Sequence, residues 1–505
     1  LTALFVTNTT GPMSISRREF TAMLAAWTLP ATVRATSAPW FPTFDGPVKS
    51  HGFEPLEVQG TLPAELEGTL VRNGAMGFIA PDGQRYEHWF DGDGGILAIR
   101  LGQGKAEGAS RLIESPGLLK ERAKQARLHL GFGSTVDRPL LKLLGTKMKN
   151  VANTNVIAVG DELWALVESC PPTRIDPETF ARLDSTDLNG VVQGGFSAHP
   201  HKLAGSDQLI NTGIQFGLKN TLRLYSVSPS GKATVLFKQE DAHAPLVHDF
   251  ALTDRSAVLL LPPLRMDMGK VLKAKGAVAD GFVWEPERGT EVLVVPLDAP
   301  DQPIRFTVDP FFQWHFANAH QSGSQVIVDL VRYADFENNQ AIGNIITGEP
   351  NGGQMNGRLY RMRIDIKRRT HTMEAVGVRS GEFPQVNPLY WGHPHRFVYM
   401  AEHASPDVAR LGLPDTLCRY DIETGQSVVM PSATGTYPGE PLVVPKRGRT
   451  EESAAWILSM AYQAQTGKSG LLIFDGESPG TEPVASAWFN GPRHTTFHGQ
   501  WLSTV

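Results

Sequence analysis

The sequence predicts an all-β protein, one many-stranded domain arranged as a β-propeller, and three observations carry that expectation. Short alternating or continuous apolar runs recur along almost the whole length. Gly and Pro are plentiful, 50 and 36 of 505 residues, and they punctuate those runs. Helical periodicity stands out only once, over residues 118–130. A propeller absorbs many short strands without leaving long exposed edges.

The first element is an address. Arg17 and Arg18 sit in a Ser-Arg-Arg-x-Phe context, ahead of an apolar run over 21–33 that is too short to cross a bilayer as a helix. A small-residue exit follows. Residues 1–35 thus form a twin-arginine signal region, with Met13 as the natural start and the segment cleaved. This predicts the twin-arginine translocase as a partner and a periplasmic or exported destination, a route that suits a protein folded around a cofactor in the cytoplasm.

Residues 36–505 form the single domain. Strand-like segments include "GTLVRNG", "GGILAIR", "NVIAVGDELWALVE", "QVIVDLVRYA", "GRLYRMRIDI", "HRFVYMAEH", "AAWILSMAY" and "GLLIFDG", with "VGDE" and "FDGD" expected as hairpin loops. In "APLVHDFALTD" alternation places Leu246, His248, Phe250 and Leu252 on one face of a strand. Residues 118–149 mix Leu with Lys and Arg. They read either as a membrane-facing patch, giving peripheral membrane contact, or as a solvated helix over the β core.

Composition narrows the function. Apolar residues make up 41% and charged residues 20%, as in soluble globular proteins. The net charge of −5, without a basic stripe interleaved with aromatics, excludes a nucleic-acid partner. Cys170 and Cys418 lie far apart in sequence and imply no disulfide framework; they read as packed, inert thiols.

Four of the 15 histidines stand out by their neighbours: His199 in "GGFSAHPHK", His248 in "LVHDFALT", His315 in "FQWHFANAHQ" and His498 in "TTFHGQW". Dozens of residues separate them, which excludes a compact zinc-finger or His-x-x-x-His helix motif and fits ligands supplied one per blade around an axis. By this logic alone His315 is not separable from His320, nor His199 from His201, and "WGHPHRF" with His393 and His395 imitates the first motif. Glu168, Glu382 and Glu440 each sit beside apolar residues and would need partners if buried. A metal-bound imidazole needs an acceptor for its other ring N–H, so the two requirements answer each other.

Together these strings, in order, resemble the carotenoid cleavage oxygenase family, which includes apocarotenoid oxygenases, lignostilbene dioxygenases and retinoid isomerohydrolases. The resemblance spans residues 53–501 and includes "FDGDGGILAIR", "VANTNVIAVGDELWALVES", "SAHPH", "VHDFALT", "HFANA", "GEFPQVNP", "GEPLVVP" and "FHGQW". It implies a seven-bladed propeller, with a few helices and loops capping the face over one Fe(II). The ligands it implies are His199, His248, His315 and His498, with Glu168, Glu382 and Glu440 orienting three of the imidazoles. It implies that the methyl of Thr154 crowds an open iron position, and it assigns no side chain as acid or base. The chain departs from the family pattern at His320-Gln321, where a glutamate is common, at His201, where a lysine is common, and over 197–217, which looks abbreviated. The implied reaction is iron- and O2-dependent splitting of a conjugated C=C bond in a carotenoid or apocarotenoid. The alternatives are cleavage of a phenolic stilbene, isomerohydrolysis of a retinoid ester, and a non-catalytic ligand-binding propeller. Stilbene cleavage calls for polar groups gripping a phenol, and none is evident over 105–149.

Overall fold

The computed structural model describes residues 37–45, 48–143, 145–216, 219–240, 246–350 and 355–504. The twin-arginine region at 1–35 lies outside the described residues. The compact unit Ala38–Val505 is a seven-bladed propeller.

Blade 1 runs from the inner strand Gly499–Ser503 outward through Gly68–Gly77, Asp93–Gly102 and Lys105–Leu112 to His51–Pro55. The inner strands of blades 2 to 7 are Asn155–Val159, His201–Lys202, Ala251–Leu252, Phe312–Ser322, Gly381–Gln385 and Thr436–Pro445. The inner strands of blades 4, 5, 6, 7, 1 and 2 pack on one another in turn around the axis. The ring closes twice over. Gly499–Ser503 pairs with Gly68–Gly77 in blade 1, and Glu57–Gly60 pairs with Ala485–Trp488 in blade 7.

Burial explains the strand sequences. Second strands such as Ser256–Leu261 (SAVLLL) are buried at every position, because neighbouring blades cover both faces. They therefore read as continuous apolar runs. Outer strands such as Gln426–Met430 are exposed except at Met430, and polar residues are tolerated there. Each fully buried Val, Leu or Ile contributes about 1.5–3 kcal/mol, so the blade cores dominate stability.

Three local expectations change. The helix ends earlier than its periodicity suggests. It spans Pro116–Lys124, is capped by the Ser115 hydroxyl, and stops at Gln125, which takes a left-handed φ of 49°. The buried Glu121 carboxylate accepts the backbone N–H groups of Leu128 and His129, pulling the following chain out of helical register. "FDGD" is no hairpin loop but a 3-10 turn, Trp89–Asp91, leading into Asp93–Gly102. Asp91 accepts from the N–H groups of Phe132 and Gly133 and so anchors a distant loop. "VGDE" does form the tight connection expected, with Gly160 at φ 59°. Finally, only Ala251–Leu252 of the His248 stretch is a strand. Phe250 and Leu252 pack into a blade core, whereas Leu246 lines the aromatic cavity that holds His248.

Cys170 and Cys418 are free thiols, pushed up to about 11 and about 12 by burial. No helix among the described residues is long and apolar enough to cross a membrane.

Candidate metal centre

Each of the seven inner strands delivers one of the predicted residues to the axis. His498 precedes Gly499–Ser503, Thr154 precedes Asn155–Val159, His199 precedes His201–Lys202, and His248 precedes Ala251–Leu252. His315, Glu382 and Glu440 lie within their own strands. Glu168 alone comes from elsewhere, two residues beyond the second strand of blade 2, Glu162–Leu166. Gly499 permits the approach of His498: a Cβ there would sit 2.0 Å from the Val71 carbonyl oxygen.

The four imidazoles are buried, with ligand nitrogens all within 4.8 Å of one another. Nε2 of His248 lies 3.0 Å from that of His199 and 3.1 Å from that of His315. Nδ1 of His315 meets Glu382 at 2.7 Å, Nδ1 of His498 meets Glu440 at 2.8 Å, and Nδ1 of His248 meets Glu168. A carboxylate opposite Nδ1 fixes the proton there and leaves Nε2 as a lone pair. Lone pairs converging at this distance repel unless a cation sits among them. A set of nitrogen donors with three carboxylates behind it fits a divalent transition metal.

The electrostatics agree. Burial pushes the His199 imidazole well below its usual range, and the neighbouring imidazoles add to that. Burial would raise Glu440, but His498 and Arg72 bring it down to about 2, so it is an anion. Arg72, itself buried, donates to Glu440 at 2.5 Å and to the Phe497 carbonyl, and Gln385 donates to Glu440 at 2.9 Å. Tyr333 donates to Glu382 at 2.7 Å. Sequence reasoning missed these three residues. The only signal was a charged Arg72 inside the apolar strand "TLVRNG".

The structure also separates look-alikes. His201, not His199, pairs with Asp249 at 2.7 Å, and that carboxylate also accepts the N–H of Phe316 beside His315. His320 and His395 lie outside the cluster. Thr154 lines the cavity described next, with its hydroxyl turned to Asn153 at 3.1 Å, so the methyl is the part free of hydrogen bonding.

An apolar cavity ends at this centre. Its walls include Trp89, Phe90, Phe132, Phe282, Trp314 and Phe497, together with Thr154, Glu168, His248, His315 and His498. The cavity measures about 160 Å³, and the exposed Phe216 lies on its wall. Residues 118–149 do more than either sequence reading allowed, because Glu121, Arg127, His129 and Lys149 form part of the wall. Lys149 donates to the Tyr86 hydroxyl at 2.9 Å and pairs with Asp93 at 2.6 Å and Glu121 at 2.9 Å.

Comparison with known proteins is consistent across sequence and structure. Residues 46–503 match the family described as retinal pigment epithelial membrane protein. Apocarotenoid-15,15'-oxygenase of Synechocystis is 29% identical over 468 residues, covering 89% of this chain and 93% of the relative. Resveratrol cleavage oxygenase 1 of Aspergillus fumigatus is 25% identical over 466 residues, covering 86% of this chain and 90% of the relative. The crystal structure of the cobalt-substituted Synechocystis apocarotenoid oxygenase superposes with a TM-score of 0.82 at 26% identity, covering 92% of this chain and 98% of that one.

Proposed function

This chain belongs to the retinal pigment epithelial membrane protein family, that of the carotenoid cleavage oxygenases, and from that premise we propose that it is an iron(II)- and O2-dependent oxygenase. Its reaction splits a conjugated C=C bond of an apocarotenoid or carotenoid into two carbonyl products. The observation that carries the reading is the convergence of four Nε2 atoms at the end of an apolar cavity.

His199, His248, His315 and His498 would hold one iron. Bound there, the iron supplies the redox chemistry by which dioxygen attacks an electron-rich alkene. The chain contributes orientation and exclusion. Glu168, Glu382 and Glu440 hold the proton at Nδ1 of three imidazoles and so aim their Nε2 lone pairs. The aromatic walls bind a flat conjugated chain and keep water from it. The Thr154 hydroxyl is engaged with Asn153, and its methyl would crowd an open position of the metal. No side chain is required to move a proton during cleavage.

The test is direct. Purified protein should carry close to one iron per chain, and an apocarotenal should lose its visible band while two carbonyl fragments appear by mass spectrometry. Folded protein that neither retains iron nor bleaches the substrate would leave only a ligand-binding propeller.

One observation favours a second reading, cleavage of a phenolic stilbene. The Tyr86–Lys149 pair and Glu121 place polar groups on the mostly apolar wall, where a phenol would be held. On this reading the grip lies partly within 105–149, at Lys149, and partly at Tyr86 in a distant segment. Cleavage of a hydroxystilbene with no action on apocarotenals would decide for it. The twin-arginine segment further supports export to the periplasm. Fractionation of cells expressing the full chain, with Arg17 and Arg18 changed to lysine as the control, tests that route.

A further inference from the structure

A second cavity reaches the same centre. It encloses about 540 Å³ and extends from the exposed Lys202 and Ser503 to His199, His315 and His498. Its walls carry His201, Asp249, Asn318, Gln385, Glu440 and Gln500, so they are far more polar than those of the aromatic cavity. His199 lines this chamber and not the aromatic one. His315, Phe383 and His498 line both, and form the partition between them.

Phe383 is held in an unusual way. It is a bulky residue at φ 60°, where side chains other than glycine are rare. The pairing of its strand is shifted between Glu382 and Gln385, a bulge that re-aims the side chain. The Glu382 carboxylate that takes His315 Nδ1 also accepts the Phe383 N–H at 2.9 Å, tying the bulge to the ligand. The ring centroid sits 5.3 Å from that of His315 and 5.4 Å from that of His498. Backbone strain that surrounding structure maintains beside a site points to a function.

A hydrated divalent cation sheds its water more readily along the polar walls of the axial chamber than in the mostly apolar aromatic cavity, where charged groups such as Glu121 and Lys149 already pair with each other. It needs a polar path. We propose that the axial chamber is an aqueous port through which the metal ion reaches the four imidazoles, and that Phe383 is the partition that keeps this water out of the substrate cavity. The inference rests on the four-histidine metal reading. It lets the metal side stay wet while the substrate side stays dry, within one centre.

Metal loading tests it without turnover. The full chain is stripped with a chelator and reloaded with Co²⁺, and visible absorbance is followed by stopped flow. Ala158→Trp and Ala204→Trp each narrow the axial chamber from half-buried positions, and Val278→Trp narrows the aromatic cavity. Either axial variant should slow loading about tenfold with the same final stoichiometry, and Val278→Trp should leave the rate unchanged. Slowing by Val278→Trp alone, or by no variant, overturns the port. A wild-type chain that takes up no Co²⁺ at all instead refutes the metal reading. For the partition, parinaric acid, a fluorescent tetraene, is bound in the aromatic cavity and quenched with iodide. Phe383→Ala should raise quenching several-fold, and equal quenching in both proteins removes Phe383 from this role.

Discussion

Two buried constellations in this propeller contain the same residue types, and only one leaves an imidazole nitrogen free. At the axis, His498 gives Nδ1 to Glu440, which is backed by Arg72, and Nε2 faces three other imidazoles. In blades 5 and 6, His395 places Nε2 3.0 Å from Asp329, which is backed by a bidentate Arg361 at 2.8 and 2.7 Å. Its Nδ1 accepts from Asn318 at 3.0 Å and its Nε2 faces the Asp329 carboxylate, so neither ring nitrogen is directed into a space shared with other imidazoles. Histidine, carboxylate and arginine therefore do not make a metal site by their presence. A metal site arises when the carboxylate takes one nitrogen and the fold directs the other into a shared space.

The largest test of this contrast is deletion of each imidazole. His498→Ala should abolish metal retention, while His395→Ala should keep close to one metal per chain by elemental analysis. If both proteins lose metal equally, the contrast is void.

Next in size come the carboxylates. Glu440→Gln should weaken metal binding about 10- to 100-fold, as changes behind a ligand do. Asp329→Asn should leave affinity unchanged but destabilise the fold by about 1.5–3 kcal/mol, since it removes the buried carboxylate that pairs with the half-buried Arg361. Denaturant melts beside metal titrations separate the two effects.

The pH response of Asp329 is smaller. Burial would raise its carboxyl, but Arg361 and His395 hold it at about 2, below its usual 3.8. A folded-state value below the unfolded one stabilises above about pH 4, and that contribution fades as pH falls toward 2. Acid unfolding of the wild type should therefore include on the order of 2 kcal/mol between pH 4 and 2 that Asp329→Asn lacks. Identical acid profiles would remove this role.

The smallest effect belongs to Tyr333→Phe. It takes one hydrogen bond from Glu382 and should cost about 1 kcal/mol in stability, with a slight loss of metal affinity. A loss as large as that of Glu440→Gln would mean that Tyr333, not the carboxylate, sets the poise of His315.

Much of this was legible beforehand. Continuous apolar runs such as "SAVLLL" announce strands covered on both faces, and the motif order pointed to the four histidines and three glutamates now found together. The supporting residues were not legible. Arg72 lies 368 positions from Glu440, and no local pattern ties them. Tyr333 is one aromatic residue at the end of an apolar strand, and its hydroxyl gains meaning only when blade 6 brings Glu382 beside it. Lys149 belongs to a segment rich in Lys and Arg, and only the fold surrounds it with Tyr86 and Asp93.

The sequence by itself determined most of the strands, the "VGDE" turn and the residue types able to bind a metal, because periodicity, glycine placement and side-chain chemistry are local properties. Only the tertiary structure decided which nitrogen of each imidazole is free, which of the paired histidines in "HPH" turns inward, and that two cavities of opposite polarity share one partition. Those depend on the closure of seven blades around an axis, which sets distances between residues that the chain keeps far apart.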